Sequence, residues 1–162
     1  MKVFLISWSD AQLESLRLVV QAEGYEVSQA IQRTHATPLL NLIDNINANV
    51  LIVECSADTQ TQDIATLEIL TATNPNVVVL MLSDTRSTDT LVAAMQAGVR
   101  EVLPSPTNAT DLTAALHRIM LRQKSMPKQP SAHGKTITFM SCKGGSGATF
   151  LATNFAAILA KD

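Results

Sequence analysis

One stretch of this chain has residue types and spacing suited to chemistry on phosphate. Cys142-Lys143-Gly144-Gly145-Ser146-Gly147-Ala148-Thr149 follows an apolar run, Thr136 to Met140, and precedes a helical pattern from Phe150 to Ala160. Strand, glycine-rich loop and helix together let backbone N–H groups and a helix N-terminus cradle a phosphate. Gly144, Gly145, Ser146 and Gly147 would give close backbone approach and N–H donors, and Thr149 would offer its hydroxyl to Mg²⁺. The usual order, G-x-x-x-x-G-K-[ST], puts a glycine where Cys142 stands and a lysine where Ala148 stands. Losing that lysine's charge-assisted contact weakens phosphate binding by about 1.5–3 kcal/mol. Thirteen residues follow Thr149, too few for a further strand to bring a metal-binding acid. The expectation is a nucleotide-binding domain that begins here and is not completed. Any ATP and Mg²⁺ site belongs to a longer parent protein, and this chain itself is expected to hold no cofactor.

Composition narrows the other possibilities. With 162 residues, 46% of them hydrophobic, the chain can bury one well-packed domain and have some left over. Twelve basic side chains face fourteen acidic ones, and no basic stripe stands out, which disfavours direct nucleic-acid binding. Cys55 and Cys142 lie far apart and match no metal or disulfide framework, as expected of two reduced thiols. His35, His117 and His133 share no ligand spacing and read as surface residues; no metal site is expected. The apolar start, Met1 to Ile6, is too short for a signal peptide. The longest aliphatic run, Val77 to Leu82, is far below the roughly 20 residues of a membrane span. A soluble, cytoplasmic chain is expected.

The elements that would position these residues alternate regularly from Lys2 to Arg122. Apolar runs at Val3 to Ile6, Tyr25 to Ala30, Val50 to Val53, Val77 to Leu82 and Val99 to Leu103 read as strands. Between them lie amphipathic helical patterns. The first opens at Ser9 with Gln12 completing a capping box, presents Leu13, Leu16 and Val20, and closes at Gly24. The second starts at Thr37-Pro38 and turns Leu39, Leu42, Ile43 and Ile46 inward. A third carries Ile64, Leu67 and Leu70. A fourth opens at Ser87 or Thr88, carries Leu91, Ala94 and Met95, and ends at Gly98. The last, from about Ala109 to Arg122, buries Leu112, Leu116 and Ile119. Five such units predict an α/β fold, a doubly wound parallel sheet. Residues 123–135, with two prolines and little to bury, read as a linker to the segment 136–162.

Across residues 2 to 122 the sequence resembles the response-regulator receiver domain. The local matches are Val77-Val-Val-Leu-Met-Leu-Ser83, Ala93-Ala-Met-Gln-Ala-Gly98 and Val102-Leu-Pro-Ser-Pro106. The resemblance implies a five-stranded (βα)5 flavodoxin/CheY-like fold with strand order 2-1-3-4-5 and a cis bond at Ser105-Pro106. A receiver needs three acids around Mg²⁺, one of them the phosphoacceptor, with a hydroxyl and a lysine contacting the phosphoryl oxygens. By resemblance, the acidic pair falls at Ser7 and Trp8, the acceptor at Glu54, the hydroxyl at Ser83 and the lysine at Ser105. Only Ser83 keeps the required chemistry, so the implied domain is a pseudo-receiver that retains the fold without the switch. Glu54 is one methylene longer than aspartate and would carry its carboxylate nearer the phosphoryl position. Either an ordinary solvated charge or a mimic of the active state fits that placement. Trp8 reads as an apolar lid over a vacated pocket.

Residues 136 to 160 resemble the first strand, P-loop and helix of the MinD/ParA ATPases, with Lys143 at the signature position of their K-G-G-x-G-K-[ST] motif. A receiver-like domain, a linker and this loop together resemble the CpaE/TadZ family of pilus assembly proteins. That resemblance implies a non-enzymatic module that localises or scaffolds Flp/Tad type IVb pilus assembly, possessing protein partners and recruited to a cell pole. It also implies homodimerisation, through the Thr88 to Leu121 face or the C-terminal segment. Phe150, Leu151, Phe155, Ile158 and Leu159 would be left without a partner surface in this chain.

Overall fold

The computed structural model describes residues 1–44, 46–85, 87–125, 137–140, 143–144 and 147–159. Cys142, Gly145, Ser146 and His133 lie outside them, as does most of the expected linker. The chain divides into two compact units, Met1–Ser125 and Met126–Asp162.

The first unit alternates strand and helix throughout: β1 (Lys2–Ser7), α1 (Asp10–Ala22), β2 (Glu26–Gln32), α2 (Leu39–Ile43), β3 (Val50–Cys55), α3 (Gln60–Thr73), β4 (Val78–Ser83), α4 (Thr88–Gln96), β5 (Glu101–Pro104) and α5 (Ala109–Ser125). The strands form one parallel sheet in the order β2-β1-β3-β4-β5. Strand side chains alternate between two cores. Val3, Leu5, Val50, Ile52, Leu80, Leu82 and Leu103 pack with α1 and α5 through Leu13, Leu16, Val20, Leu112 and Leu116. Phe4, Ile6, Leu51, Val53, Val79 and Met81 pack on the opposite face with Leu39, Ile43, Leu67, Leu70 and Ala94 of α2, α3 and α4. Burial on both faces explains why the central strands read as unbroken apolar runs. Each such Leu, Ile or Val contributes about 1.5–3 kcal/mol on burial.

β2 departs from strict alternation. Val3 pairs with Val27, but Phe4 pairs with Gln29, so Ser28 is an extra residue, a bulge whose hydroxyl donates to the Val3 carbonyl at 3.1 Å. Before the bulge Val27 packs toward α1 and α5; after it Ala30 keeps that side and Ile31 takes the other. The bulge therefore reverses which face the odd-numbered residues meet.

Helix ends follow the sequence in part. At the end of α1 the Tyr25 N–H reaches the Val20 carbonyl at 3.1 Å and the Gly24 N–H reaches Gln21 at 2.9 Å, a Schellman motif with Gly24 at φ +77°. Ser87 caps α4 by accepting from the Thr90 N–H at 3.1 Å. The expected capping box of α1 does not form: Ser9 makes no side-chain cap bond, and the Gln12 amide donates instead to Ser105 at 3.3 Å. Met95, expected inside, is 72% exposed, because Ala94 carries the buried stripe of α4. α5 runs three residues past Arg122, through Gln123 and Lys124, which favour helix.

In the second unit α6 (Ala148–Leu159) begins directly after Gly147, at φ +78°, with the Leu151 N–H on the Gly147 carbonyl at 3.0 Å. Ile137 to Met140, expected as a strand, take no strand conformation, and no described residue of this unit forms a strand for them to pair with. Phe139 meets Phe155 edge-on at 5.8 Å, while Phe150, Leu151 and Ile158 are exposed. Among the described residues no helix is long and apolar enough to cross a membrane.

Gly98 tests the packing between α3 and α4. At φ +81°, an added Cβ would lie 2.8 Å from Thr71 Oγ1, which is itself held by the Ala97 carbonyl at 2.7 Å. At Gly24 a Cβ would meet nothing within 4 Å. Gly24→Ala should cost about 1–2 kcal/mol, the left-handed strain alone. Gly98→Ala should cost about 2–4 kcal/mol, strain plus the clash. Urea unfolding of the two variants measures the difference; equal losses would mean that Thr71 gives way freely.

Candidate functional site

The C-terminal edge of a parallel sheet is where α/β folds place ligands. Here several of the protein's own polar side chains gather, beside a cavity lined in part by Trp8, Glu54 and Asp58. Ser7 ends β1 and shares the α1/α5 side with Val3 and Leu5; Glu54 on β3 shares it with Val50 and Ile52. Ser105 follows β5 on the same parity as Leu103. Alternation alone thus brings Ser7, Glu54 and Ser105 to one pleat.

Glu54 is the centre of this group. Its Oε2 accepts from Ser7 Oγ at 2.6 Å and from the Trp8 backbone N–H at 2.9 Å, and its Oε1 accepts a short hydrogen bond from Ser105 Oγ. The Gln12 amide donates to Ser105 at 3.3 Å, extending the chain of bonds to α1. One carboxylate therefore ties the ends of β1 and β3 to the loop after β5, spanning β4. Charge-assisted bonds of this kind are worth about 1.5–3 kcal/mol each.

Ser83 is not part of this cluster. The β3–β4 register sets Ser83 opposite Cys55, and Leu82 opposite Glu54, so Ser83 lies one pleat away from the carboxylate. Its hydroxyl donates to the Thr85 carbonyl at 2.7 Å and accepts the Thr85 N–H at 3.2 Å. The expected cis bond is present at Ser105-Pro106.

The Mg²⁺ of a receiver requires several oxygen ligands. Ser7 offers a hydroxyl already donated to Glu54, Trp8 offers no side-chain oxygen, and both Glu54 oxygens are engaged. Among the described residues no three His, Cys, Asp or Glu side chains gather as a metal site. The residues present do not fit the ion.

A second polar cluster lies on the opposite pleat. Arg33, 5% exposed, forms a bidentate pair with Asp63, 1% exposed, at 2.6 and 2.7 Å. Thr59 donates to the same carboxylate at 2.7 Å, and Ser56 lies 3.2 Å from Thr59. Trp8 roofs the pair: the Arg33 guanidinium sits 4.5 Å from the indole centroid, and the exposed His35 ring lies 4.7 Å from it. The Arg33 N–H bonds the Ser7 carbonyl at 2.7 Å, and the Ser28 bulge brings its side chain to the α3 face. Cys55 is buried beside the pair. Burial pushes its thiol pKa well up, and the Asp63 carboxylate adds to the rise, so the sulfur stays protonated and unreactive.

Sequence reasoning missed this ion pair and the part of Gln12. A signal for Asp63 existed: it stands four and seven residues before Leu67 and Leu70, on the buried stripe of α3. For Arg33 none existed, because its side depends on the bulge.

Of the expected nucleotide-loop residues, Lys143, Gly144, Gly147 and Thr149 are described, and Thr149 lies in the first turn of α6. That places a hydroxyl in the first turn of a helix that follows a glycine in the left-handed region.

Removing one member of a buried pair leaves an uncompensated charge. Asp63→Leu alone should therefore lose about 3–5 kcal/mol of stability. Arg33→Met with Asp63→Leu should recover most of it, the two changes being strongly non-additive in urea unfolding. Additive losses would mean the pair is solvated and weak.

No curated protein matches this chain significantly. Solved structures do. A protein described as a pilus assembly protein (cpaE) from Burkholderia thailandensis E264 aligns at 28% identity over 75% of this chain and 98% of its own, with a TM-score of 0.64. A pilus assembly-related protein from Burkholderia pseudomallei K96243 aligns at 26% identity over 77% and 90%, with a TM-score of 0.61. A CheY-like receiver domain protein from Methanospirillum hungatei JF-1 shares the fold at 21% identity over 78% and 98%, with a TM-score of 0.62. The family model "Pilus assembly protein TadZ N-terminal" matches residues 6–133. The chain, a receiver-like fold matched over most of its length by that model, belongs to the TadZ N-terminal family of pilus assembly proteins.

Proposed function

We propose that this domain is a non-phosphorylatable, receiver-like protein-interaction module that localises or scaffolds the assembly of Flp/Tad type IVb pili. One observation carries the proposal: the carboxylate at the phosphoacceptor position is occupied on both oxygens by Ser7, Trp8 and Ser105. An acceptor must present a free oxygen to the phosphoryl donor beside a metal and a cation. Here neutral donors hold that oxygen, and serine stands where the cation would be. Nor does Glu54 act as a mimic through Ser83, whose hydroxyl bonds its own loop instead. The module works by presenting a surface, without catalysis of its own.

In a longer parent protein, the glycine loop and α6 would open an ATPase domain of the MinD/ParA type, with Lys143 and Thr149 directed at ATP and Mg²⁺. The exposed apolar residues of α6, Phe150, Leu151 and Ile158, suit burial in the rest of such a domain or in a dimer formed through this segment. The protein would act in the cytoplasm, near a cell pole.

Two measurements test the proposal. After incubation with Mg²⁺ and a small phosphodonor, intact mass should show no phosphoryl adduct; a stable adduct at Glu54 or elsewhere in residues 1–125 would overturn it. Residues 1–125 fused to a fluorescent protein should form a polar focus in the native cell. A uniformly diffuse signal would move the targeting role to the C-terminal segment.

A further inference from the structure

A cavity of about 560 Å³ opens at the C-terminal edge of the sheet, among the loops that follow β1, β2 and β3. Its volume lies within the span of small-molecule sites, roughly 300–1,000 Å³. Two N–H groups of its lining residues have no acceptor among the described residues: the Trp8 indole N–H and the Nε–H of Arg33, a side chain only 5% exposed. Asp63 takes both terminal nitrogens of Arg33 and leaves Nε over. A buried donor left unpaired costs its full desolvation, so these two point to an acceptor that arrives from outside. That acceptor is not an anion. Asp63 cancels the Arg33 charge, and neutral donors alone meet Glu54. Asp58, exposed on the same cavity, has no cation within ion-pair distance among the described residues. The lining is acidic on balance, which repels phosphate and carboxylate. His35 adds an exposed aromatic wall, its ring lying 4.7 Å from that of Trp8.

We propose that this cavity binds a guanine-type base, presented as an uncharged nucleoside. Guanine carries two acceptors, O6 and N7, on one edge, which suit the N–H groups of Trp8 and Arg33. Its other edge carries N1–H and the 2-amino group, two parallel donors that match a carboxylate bidentately. Asp58 supplies that carboxylate, and the His35 imidazole supplies a ring against which a base stacks. Adenine has a single amino donor and no carbonyl, and leaves part of this lining unmet. Both N–H groups are covered in this structure, so entry requires the exposed His35 ring to shift from Trp8 and close on the base. The site is independent of the interaction role proposed above, and either can fail alone.

Trp8 is the only tryptophan of the chain and reports on the site directly. Titrating guanosine into the full chain should quench its emission saturably, with an affinity at least roughly tenfold above that for adenosine. GMP should bind no tighter than guanosine, since its added charge meets an acidic lining. Asp58→Asn, at an exposed position, should weaken guanosine by roughly tenfold. The same change should weaken inosine, which lacks the 2-amino group, by less than about threefold. Trp8→Phe keeps a ring and removes the N–H; calorimetry should show a loss of roughly tenfold with circular dichroism unchanged. If that variant unfolds, the comparison of guanosine and inosine on Asp58→Asn still decides. No saturable quenching up to about 1 mM guanosine would sink the proposal, the two N–H groups then holding water. Tighter binding of GMP would also sink it, because the cavity would then be a phosphate site. So would equal affinity for adenosine, or an Asp58→Asn variant that binds as the parent does.

Discussion

A guanidinium taken almost wholly out of water must be matched by charge and hydrogen bonds, and Arg33 imposes that demand on everything near it. Asp63 answers it from the first turn of α3, a position where a helix N-terminus also favours an anion. Thr59 and Ser56 then orient the carboxylate, and Trp8 covers the cation. Ions of this kind gain little over apolar packing in net stability, but they tolerate few alternative arrangements. The exit of β2, the start of α3 and the loop after β1 are consequently fixed relative to one another.

The Glu54 cluster solves a different problem on the other pleat. Its charge is met by neutral donors alone, two hydroxyls and a backbone N–H. The bonds span the ends of β1 and β3 and the loop after β5, so the carboxylate does mechanically what a bound ion does in other proteins, holding loops together at the sheet edge. An ion pair on one side and a carboxylate on the other thus brace the edge where parallel sheets usually receive ligands.

Much of this was legible in the sequence. Runs such as Val77 to Leu82 read as buried strands, the alternation of short strands with helical patterns gave the doubly wound architecture, and the receiver resemblance gave the strand order. Ser7, Trp8, Glu54 and Ser105 were found through the receiver resemblance, whose site positions fall at or just after strand ends. Their bonds were less legible. Ser9 and Gln12 fit a capping box by spacing, yet Gln12 bonds Ser105, a residue 93 positions away. Met95 fit the apolar stripe of α4 by type, and only packing shows that Ala94 suffices to fill the space below. Asp63 stood on the buried stripe of α3, but the side Arg33 takes is set by a register change that no local pattern in Glu26–Gln32 announces.

That register change has a consequence for solubility. β2 is an edge strand of seven residues in which Glu26 alone is charged, and its outer backbone groups are unpaired within the sheet. Regular strands of that length invite a second molecule to add on and propagate fibrils. The irregular residue at Ser28 breaks the even spacing of donors and acceptors along that border and strengthens the local twist. A chain correcting the irregularity would offer a straighter template, and with it a route to amyloid-like stacking.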